Sequence, residues 1–454
     1  MKIKLFFPIL GLVFFVTSCS VSNKIGRPAK EFILENESFI NAHTGISVYE
    51  PATNKYWYNY QAEKYFVPAS NTKLATCYAA MKYLKDSLVG LHYLITDSFV
   101  NIVGTGDPTF LDPEFKNQPV FDFLKRFKQV NYLSNSRPQR FSPIGRGWAW
   151  GDYTGDYAAE RSEMPIYDNV ARLYISGDSL SVSPHFFYND SINTTNENLK
   201  NGGKIYFDIT RPLENNSFYT LHSPQMLRSQ TKFISQSIPF KTFETSNSNK
   251  GVFIKLLEDT LHKKIGDWSD MDATNPSGIY SVIHSQPTDS LLKPLMHRSD
   301  NFYAEQSLLM VSQKILNYMS DRDIIDTLLN SDYKLMPQKP SWVDGSGLSR
   351  YNLFSPKDFV FILKKMKNDF GMERIKNILA TGGTGTIKNY YIRDSGFIFA
   401  KTGTLNGVVA FSGFLYTIKN KLLIFSVLVN NHRSSSTDIR KGVEKFIQNL
   451  RDKY

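Results

Sequence analysis

Two short runs rich in β-branched and aromatic residues, 46–49 and 56–60, flank the turn-forming Pro51-Ala52-Thr53-Asn54 and predict a pair of strands. From Ser70 the apolar positions change period: Leu74, Cys77, Tyr78, Met81 and Leu84 recur at helical spacing. Far downstream, helical patterns cover residues 301–318 and 356–367, three strand patterns cover 397–404, 408–416 and 422–429, and a closing helix is expected over 437–450. The middle of the chain is rich in Asn, Ser, Thr, Phe and Tyr. It carries short β-like runs, Leu173-Tyr174-Ile175 and Lys204-Ile205-Tyr206-Phe207, and polar loops over 189–204 and 245–251. Strands and a helix at both ends with a different block between them predict one domain interrupted by another, the two ends sharing a sheet. The expected division is 32–90 with 286–454 for the outer domain and 91–285 for an inserted, mostly β domain.

The first residues stand apart from this pattern. Lys2 and Lys4 precede an apolar stretch from Leu5 to Val16, too short to span a bilayer but suited to a signal-peptide core. It ends in Val16-Thr17-Ser18-Cys19, which resembles a bacterial lipobox. The expectation is a signal peptide over 1–18, lipidation of Cys19 and a linker over 19–31, placing an exported chain on a membrane, in the periplasm. Cys77 would then be the one remaining thiol, so no intramolecular disulfide is expected, and its small apolar neighbours mark it as a core residue. The formal charge of +11 falls to +9 without Lys2 and Lys4, and the basic residues are scattered. Nucleic acid is not an expected partner behind a secretion signal. The eight histidines show no zinc spacing, and no metal or cofactor is expected.

Three short motifs carry the chemistry: Ser70-Asn71-Thr72-Lys73, Ser299-Asp300-Asn301 and Lys401-Thr402-Gly403-Thr404. Helical residues three apart share a face, so Lys73 can reach the Ser70 hydroxyl and act as its base. To do so it must lose its proton, which burial and a second cation, Lys401, both favour. A serine activated in this way needs no histidine. Asn301 can orient Lys73 and donate to a substrate carbonyl, and Ser299 is placed to relay a proton to a departing amine. Lys401 supplies positive potential, and Thr402 and Thr404 can hold a carboxylate. The amides of Ser70 and Thr404 would form an oxyanion hole. Ser-x-x-Lys also occurs at Ser290–Lys293 and Ser331–Lys334. Only Ser70 has a proline just before it and a small-residue helix after it.

These motifs resemble the D-alanyl-D-alanine carboxypeptidase/endopeptidase branch of low-molecular-mass penicillin-binding proteins, the class C or type-4 group. The resemblance rests also on Gly104-Thr105-Gly106-Asp107-Pro108-Thr109, Gly147-Trp148-Ala149-Trp150-Gly151-Asp152, Asp344-Gly345-Ser346-Gly347-Leu348-Ser349-Arg350 and Gly385-Thr386-Ile387-Lys388. It implies an α+β fold of the penicillin-binding transpeptidase/β-lactamase type, an antiparallel sheet flanked by helices. It implies a Ser70 acyl-enzyme on peptidoglycan stem peptides and acylation by β-lactam antibiotics. The catalytic set would be Ser70, Lys73, Ser299, Asn301 and Lys401, with Thr402, Gly403 and Thr404 binding substrate. Asp152 and Arg350 would meet the two charges of a zwitterionic side chain. The insertion looks short for the family's larger members, so a reduced subdomain is expected. Two alternatives stay open: a β-lactamase, which the 229-position gap from Ser70 to Ser299 disfavours, and a silent wall-binding lipoprotein, which the intact motifs disfavour.

Overall fold

The computed structural model describes residue 22 and residues 24–454, apart from 97–98, 134–139, 177–178, 189–207, 214, 217, 222–233, 243–250 and 268–279. The expected signal peptide, Cys19, the 204–207 run and the 189–204 loop therefore lie outside the described residues, as does the 245–251 loop except Gly251.

In chain order the strands are β1 (His43–Glu50), β2 (Lys55–Tyr60), β3 (Ser87–Thr96), β4 (Phe99–Gly104), β5 (Gln129–Tyr132), β6 (Val170–Ser176), β7 (Ser179–Ser183) and β8 (Asp208–Thr210). They continue with β9 (Tyr219–Leu221), β10 (Ile234–Pro239), β11 (Ile265–Asp267), β12 (Ser281–Pro287), β13 (Ala380–Thr381), β14 (Ile398–Leu405), β15 (Val408–Tyr416) and β16 (Leu422–Asn430). Six of them form one antiparallel sheet in the order β13-β14-β15-β16-β1-β2. The two ends of the chain meet in its centre, where β1 pairs β16 from His43↔Asn430 to Tyr49↔Ile424.

The central strands read as unbroken apolar runs because both faces are covered. Side chains alternate across a strand. Val409, Phe411, Leu423, Phe425 and Val427 therefore pack with Ile439, Val443, Phe446 and Ile447 of the Ser436–Lys453 helix. The opposite face, with Ala410, Phe414, Ile424 and Leu428, packs on Phe359, Ile362, Leu363 and Met366 of the Pro356–Ile378 helix. That helix runs past the expected 367 and bends at Gly371, whose φ is +72°. The Lys73–Tyr83 helix is buried from Lys73 to Met81, enclosed between these layers and the Asn301–Leu316 helix rather than amphipathic.

One polar row crosses the second face. Lys401 pairs with Ser412, Ser412 with Ser426, and Ser426 with Ser47, which is opposite Asn59. Ser412 Oγ donates to Ser426 Oγ at 2.8 Å, and Ser47 Oγ to Asn59 Oδ1 at 2.8 Å. Asn71 Nδ2 donates to Ser412 Oγ at 2.7 Å, fastening the turn that carries Ser70 to the sheet.

The boundaries differ from those expected. Residues 24–29 are helical and run into a π-turn, Lys30–Leu34, with Ile25, Ala29 and Ile33 fully buried against the Ser436–Lys453 helix. The 24–31 part of the expected linker is thus packed structure, because its apolar residues recur every four positions. The 90/91 and 285/286 boundaries fall inside β3 and β12, which pair with each other down to Ser87↔Pro287, and Thr288 N donates to the Asp86 carbonyl. A second sheet, β11-β5-β4-β3-β12, contains parallel β4–β5 and β5–β11 pairs, which need crossovers. The Pro119–Leu124 and Val252–Leu261 helices pack in its separate apolar cluster.

Ile33→Ala removes a fully buried side chain from the helix–sheet layer. It should destabilise the protein by about 2–5 kcal/mol, read as a lower denaturation midpoint of the purified protein. An unchanged midpoint would mean that the N-terminal helix contributes no stability.

Candidate active site

The nucleophile motif begins in a short 3-10 turn, Ala69–Thr72, and the α-helix starts only at Lys73. Ser70 and Lys73 still meet, with Lys73 Nζ 2.9 Å from Ser70 Oγ. The amine also donates to Asn301 Oδ1 at 2.6 Å and to the Ser346 carbonyl at 2.7 Å. Lys401 Nζ donates to Ser299 Oγ at 2.9 Å and to the Thr402 carbonyl at 2.8 Å. All five residues expected to carry catalysis are therefore joined in two short chains that share the Ser299–Asn301 segment. Asn301 Nδ2 donates to the Tyr157 carbonyl at 2.9 Å, leaving its second hydrogen for another acceptor.

Backbone geometry makes the approach possible. Gly403 lies so close that a Cβ there would sit 2.6 Å from the Pro68 carbonyl oxygen and 3.0 Å from the Ser70 nitrogen. Gly347, at φ +82°, would place a Cβ 1.9 Å from the Ala69 carbonyl oxygen. Ala69 (φ +46°) and Ser299 (φ +64°) each hold a left-handed conformation next to or within a motif. That conformation costs about 1–2 kcal/mol for a residue with a Cβ. The surrounding contacts hold both residues there.

Lys73 has no solvent exposure, and burial pulls its amine down to about 8. Asp344, Asp300 and Glu305 act in the opposite direction, favouring the charged form. Burial leads here, and Lys401, the second cation expected from the sequence to act with it, is not among the main influences on Lys73. Lys401 is also fully buried; burial first, and then the charge of Lys73, push its amine well below the usual range.

The sequence motifs missed the carboxylates beneath Lys73. Buried Asp344 accepts from the amides of Gly347 (2.8 Å) and Ser349 (2.7 Å), from Asn352 Nδ2 (2.7 Å) and from Trp148 Nε1 (3.1 Å). These bonds fold the loop that presents the Ser346 carbonyl to Lys73. Glu305 accepts from the Ser346 amide at 2.8 Å and pairs with buried Arg161 at 3.3 Å; burial, and secondarily Asp344, raise its carboxyl to about 7. Only the Asp344–Arg350 run, quoted for its resemblance, pointed toward this loop.

Other expected residues lie at the rim. Thr402 Oγ1 donates to Thr386 Oγ1 at 2.7 Å, and Thr404 Oγ1 accepts from Arg440 at 2.6 Å. Asp152 Oδ1 accepts from the Tyr157 hydroxyl at 3.0 Å, and exposed Arg350 donates to the Asn406 carbonyl at 2.9 Å. A Cβ on Gly147 would meet Tyr351 and Ser349 within 3 Å, so the segment ending in Asp152 packs against the one ending in Arg350. Cys77 is buried with its thiol raised to about 12 by burial, as suits a core residue.

Fold and site together are those of a serine-type enzyme of the penicillin-recognising class: a sheet edge, a Ser–Lys pair and a second Ser–Lys contact closing over it. The chain belongs to the D-Ala-D-Ala carboxypeptidase 3 (S13) family, whose sequence profile matches residues 30–118 and 143–450. It is 24% identical over 476 aligned residues to penicillin-sensitive carboxypeptidase A of Dictyostelium discoideum, covering 91% of this chain and 88% of that one. It is 28% identical over 185 residues to D-alanyl-D-alanine carboxypeptidase DacB of Haemophilus influenzae, covering 37% of each. The crystal structure of penicillin binding protein 4 from Haemophilus influenzae shares the fold, with a TM-score of 0.68 at 18% identity over 94% of this chain and 98% of that chain.

Gly347→Ala should displace the Ala69 carbonyl and misplace Ser70. The expected result is a loss of more than about 1 kcal/mol of stability with slower labelling by fluorescent penicillin. Wild-type labelling and an unshifted melting temperature would contradict this close packing.

Proposed function

We propose that this chain cleaves peptidoglycan peptides as a serine DD-peptidase, releasing a terminal D-Ala or opening a D-amino-acid cross-link through a Ser70 acyl-enzyme. The observation that carries it is the Ser70–Lys73 contact at 2.9 Å, with Lys73 shared by Asn301 and the Ser346 carbonyl inside a buried site. Neutral Lys73 takes the Ser70 proton as Oγ attacks the penultimate D-Ala carbonyl. Ser299, held by Lys401, gives its proton to the leaving amine nitrogen as the C–N bond breaks, and the proton that Lys73 took from Ser70 replaces it. Water then attacks the ester carbonyl and gives a proton to neutral Lys73; the acyl C–O bond breaks, and Lys73 returns that proton to Ser70 Oγ.

The sheet edge supports a peptide substrate. β13 covers only Phe399 and Ala400 of β14, so residues 401–405 keep an open edge on that side. An extended peptide can add there as a further strand. Gly403, without a side chain, keeps that edge against the Ser70 backbone, and the amides of Ser70 and Thr404 are our candidates for the oxyanion hole. Asp152 and Arg350, at the end of two packed segments, are the proposed receptors for a zwitterionic side chain of the stem peptide. We further propose that residues 1–18 direct export to the periplasm, that Cys19 carries a lipid anchor, and that the segment between Ser87 and Pro287 is an inserted domain. β-Lactams would acylate Ser70 as substrate mimics.

Ser70→Ala should abolish covalent labelling by fluorescent penicillin and slow peptidoglycan cleavage by about three orders of magnitude or more. Labelling that survives the substitution would overturn the assignment, and rapid turnover of nitrocefin in place of a lasting label would favour a β-lactamase. The attacking serine needs the unprotonated form of Lys73. Its acylation rate should therefore rise as pH increases through about 8. A rate that fell over that interval would exclude Lys73 as the base.

A further inference from the structure

Basic residues scattered along the sequence are gathered by the fold on one side of the main sheet. The 24–29 helix with its π-turn and the Ser436–Lys453 helix together form the layer that covers one sheet face. Ile25, Ala29 and Ile33 are buried in that layer from the first helix, and Ile439, Val443 and Ile447 from the second. Helical periodicity places Lys24, Arg27 and Lys30 opposite the first apolar stripe and Lys441 and Lys445 opposite the second; all five are exposed. The two groups adjoin, because a Cβ on Gly442 would be 2.8 Å from the Phe32 carbonyl oxygen.

The outer side of this layer carries unbalanced charge. Within residues 24–31 and 438–445 the exposed acids are Glu31 and Asp438, and Asp438 accepts from Ser435 Oγ at 2.6 Å. None of the five basic groups is matched to a carboxylate of a described residue, whereas Arg393 and Arg451 are paired with Asp452 and Asp394. A surface of this kind suits an anionic partner. The position of the chain's start says which one. Cys19, the residue proposed to carry lipid, is five positions before Lys24, a reach of at most about 17 Å. A lipid there brings the N-terminal helix to the bilayer before any other described part of the chain. Each basic side chain close to an anionic lipid surface strengthens binding about fivefold, an attraction that fades within about 8 Å in physiological salt.

We propose that the outer side of this helical layer, formed by Lys24, Arg27, Lys30, Lys441 and Lys445, is a docking surface for the anionic headgroups of the membrane that holds Cys19. This rests on the lipid-anchor reading given above and deepens it: the lipid fixes where the enzyme is, and the basic surface fixes how it stands. The Ser70 turn is fastened through Asn71 and Ser412 to the opposite face of the sheet. Docking therefore keeps the nucleophile on the far side of the sheet from the lipid.

The test uses the whole protein on vesicles of phosphatidylcholine with phosphatidylglycerol and on vesicles of phosphatidylcholine alone. A water-soluble acetylating reagent marks exposed lysines, which mass spectrometry then reads. On the anionic vesicles Lys24, Lys30, Lys441 and Lys445 should be acetylated about fivefold more slowly than on the neutral ones, and high salt should remove the difference. Lys85 and Lys334, exposed lysines that follow helices packed on the opposite face, should not change. The double substitution of Lys441→Glu with Lys445→Glu should restore the reactivity of Lys24 and Lys30 without lowering the melting temperature. Equal acetylation on the two kinds of vesicle would overturn the proposal, as would protection of Lys85 and Lys334 instead. Protection by purified cell wall and not by vesicles would also overturn it, in favour of a wall polymer. Absence of an acyl group on Cys19 is a separate result: it removes the anchor reading, while the lysine pattern on anionic vesicles still decides whether this surface binds lipid.

Discussion

A lysine nitrogen on a side chain with no solvent exposure must find its partners within the protein. Lys73 finds them on three separate stretches of chain: Ser70 Oγ, Asn301 Oδ1 and the Ser346 carbonyl. A charged amine needs three acceptors; a neutral one needs two acceptors and one donor. The carbonyl and the amide oxygen can only accept, so the Ser70 hydroxyl alone can switch roles. One arrangement of heavy atoms thus satisfies both protonation states, and a proton can cross between serine and lysine without rearrangement. Much of the fold serves this enclosure. The Asp344 loop supplies the carbonyl, the Asn301–Leu316 helix the amide, and the sheet holds the serine turn.

Electrostatics around the amine is a balance of opposed effects. Burial drives Lys73 toward neutrality, while Asp344, Asp300 and Glu305 hold it partway. Glu305 is itself raised by burial and kept in place by Arg161 and the Ser346 amide. Backbone and charge are therefore coupled: the groups that set the proton affinity also fix the loop that accepts from the amine.

The parts of this arrangement legible in the sequence are local. Ser70 and Lys73 are one turn apart, and the strands over 408–416 and 422–429 announce themselves by continuous apolar runs. The Lys401–Ser412–Ser426–Ser47 row was not read, although the two-residue Asn406-Gly407 turn fixes Leu405 opposite Val408 and hence Lys401 opposite Ser412. A lone serine in an apolar strand carries no pattern until its neighbour is known. Glu305, Arg161 and Arg440 stayed invisible because each acts through a partner 36 or more positions away. The linker over 24–31 was misjudged because a single helical turn of apolar residues has too short a period to stand out beside a leader.

The pairing of β1 with β16 has a bearing on when the site can exist. Ser70 is made early, yet its turn is held by Ser412 and pressed by Gly403, and the strand beside β1 ends at Asn430. In a growing chain the nucleophile therefore cannot be seated before the residues through Asn430 have been made. Contacts this distant in sequence also form slowly. The reactive serine and the strands that seat it thus belong to parts of the chain made far apart in time.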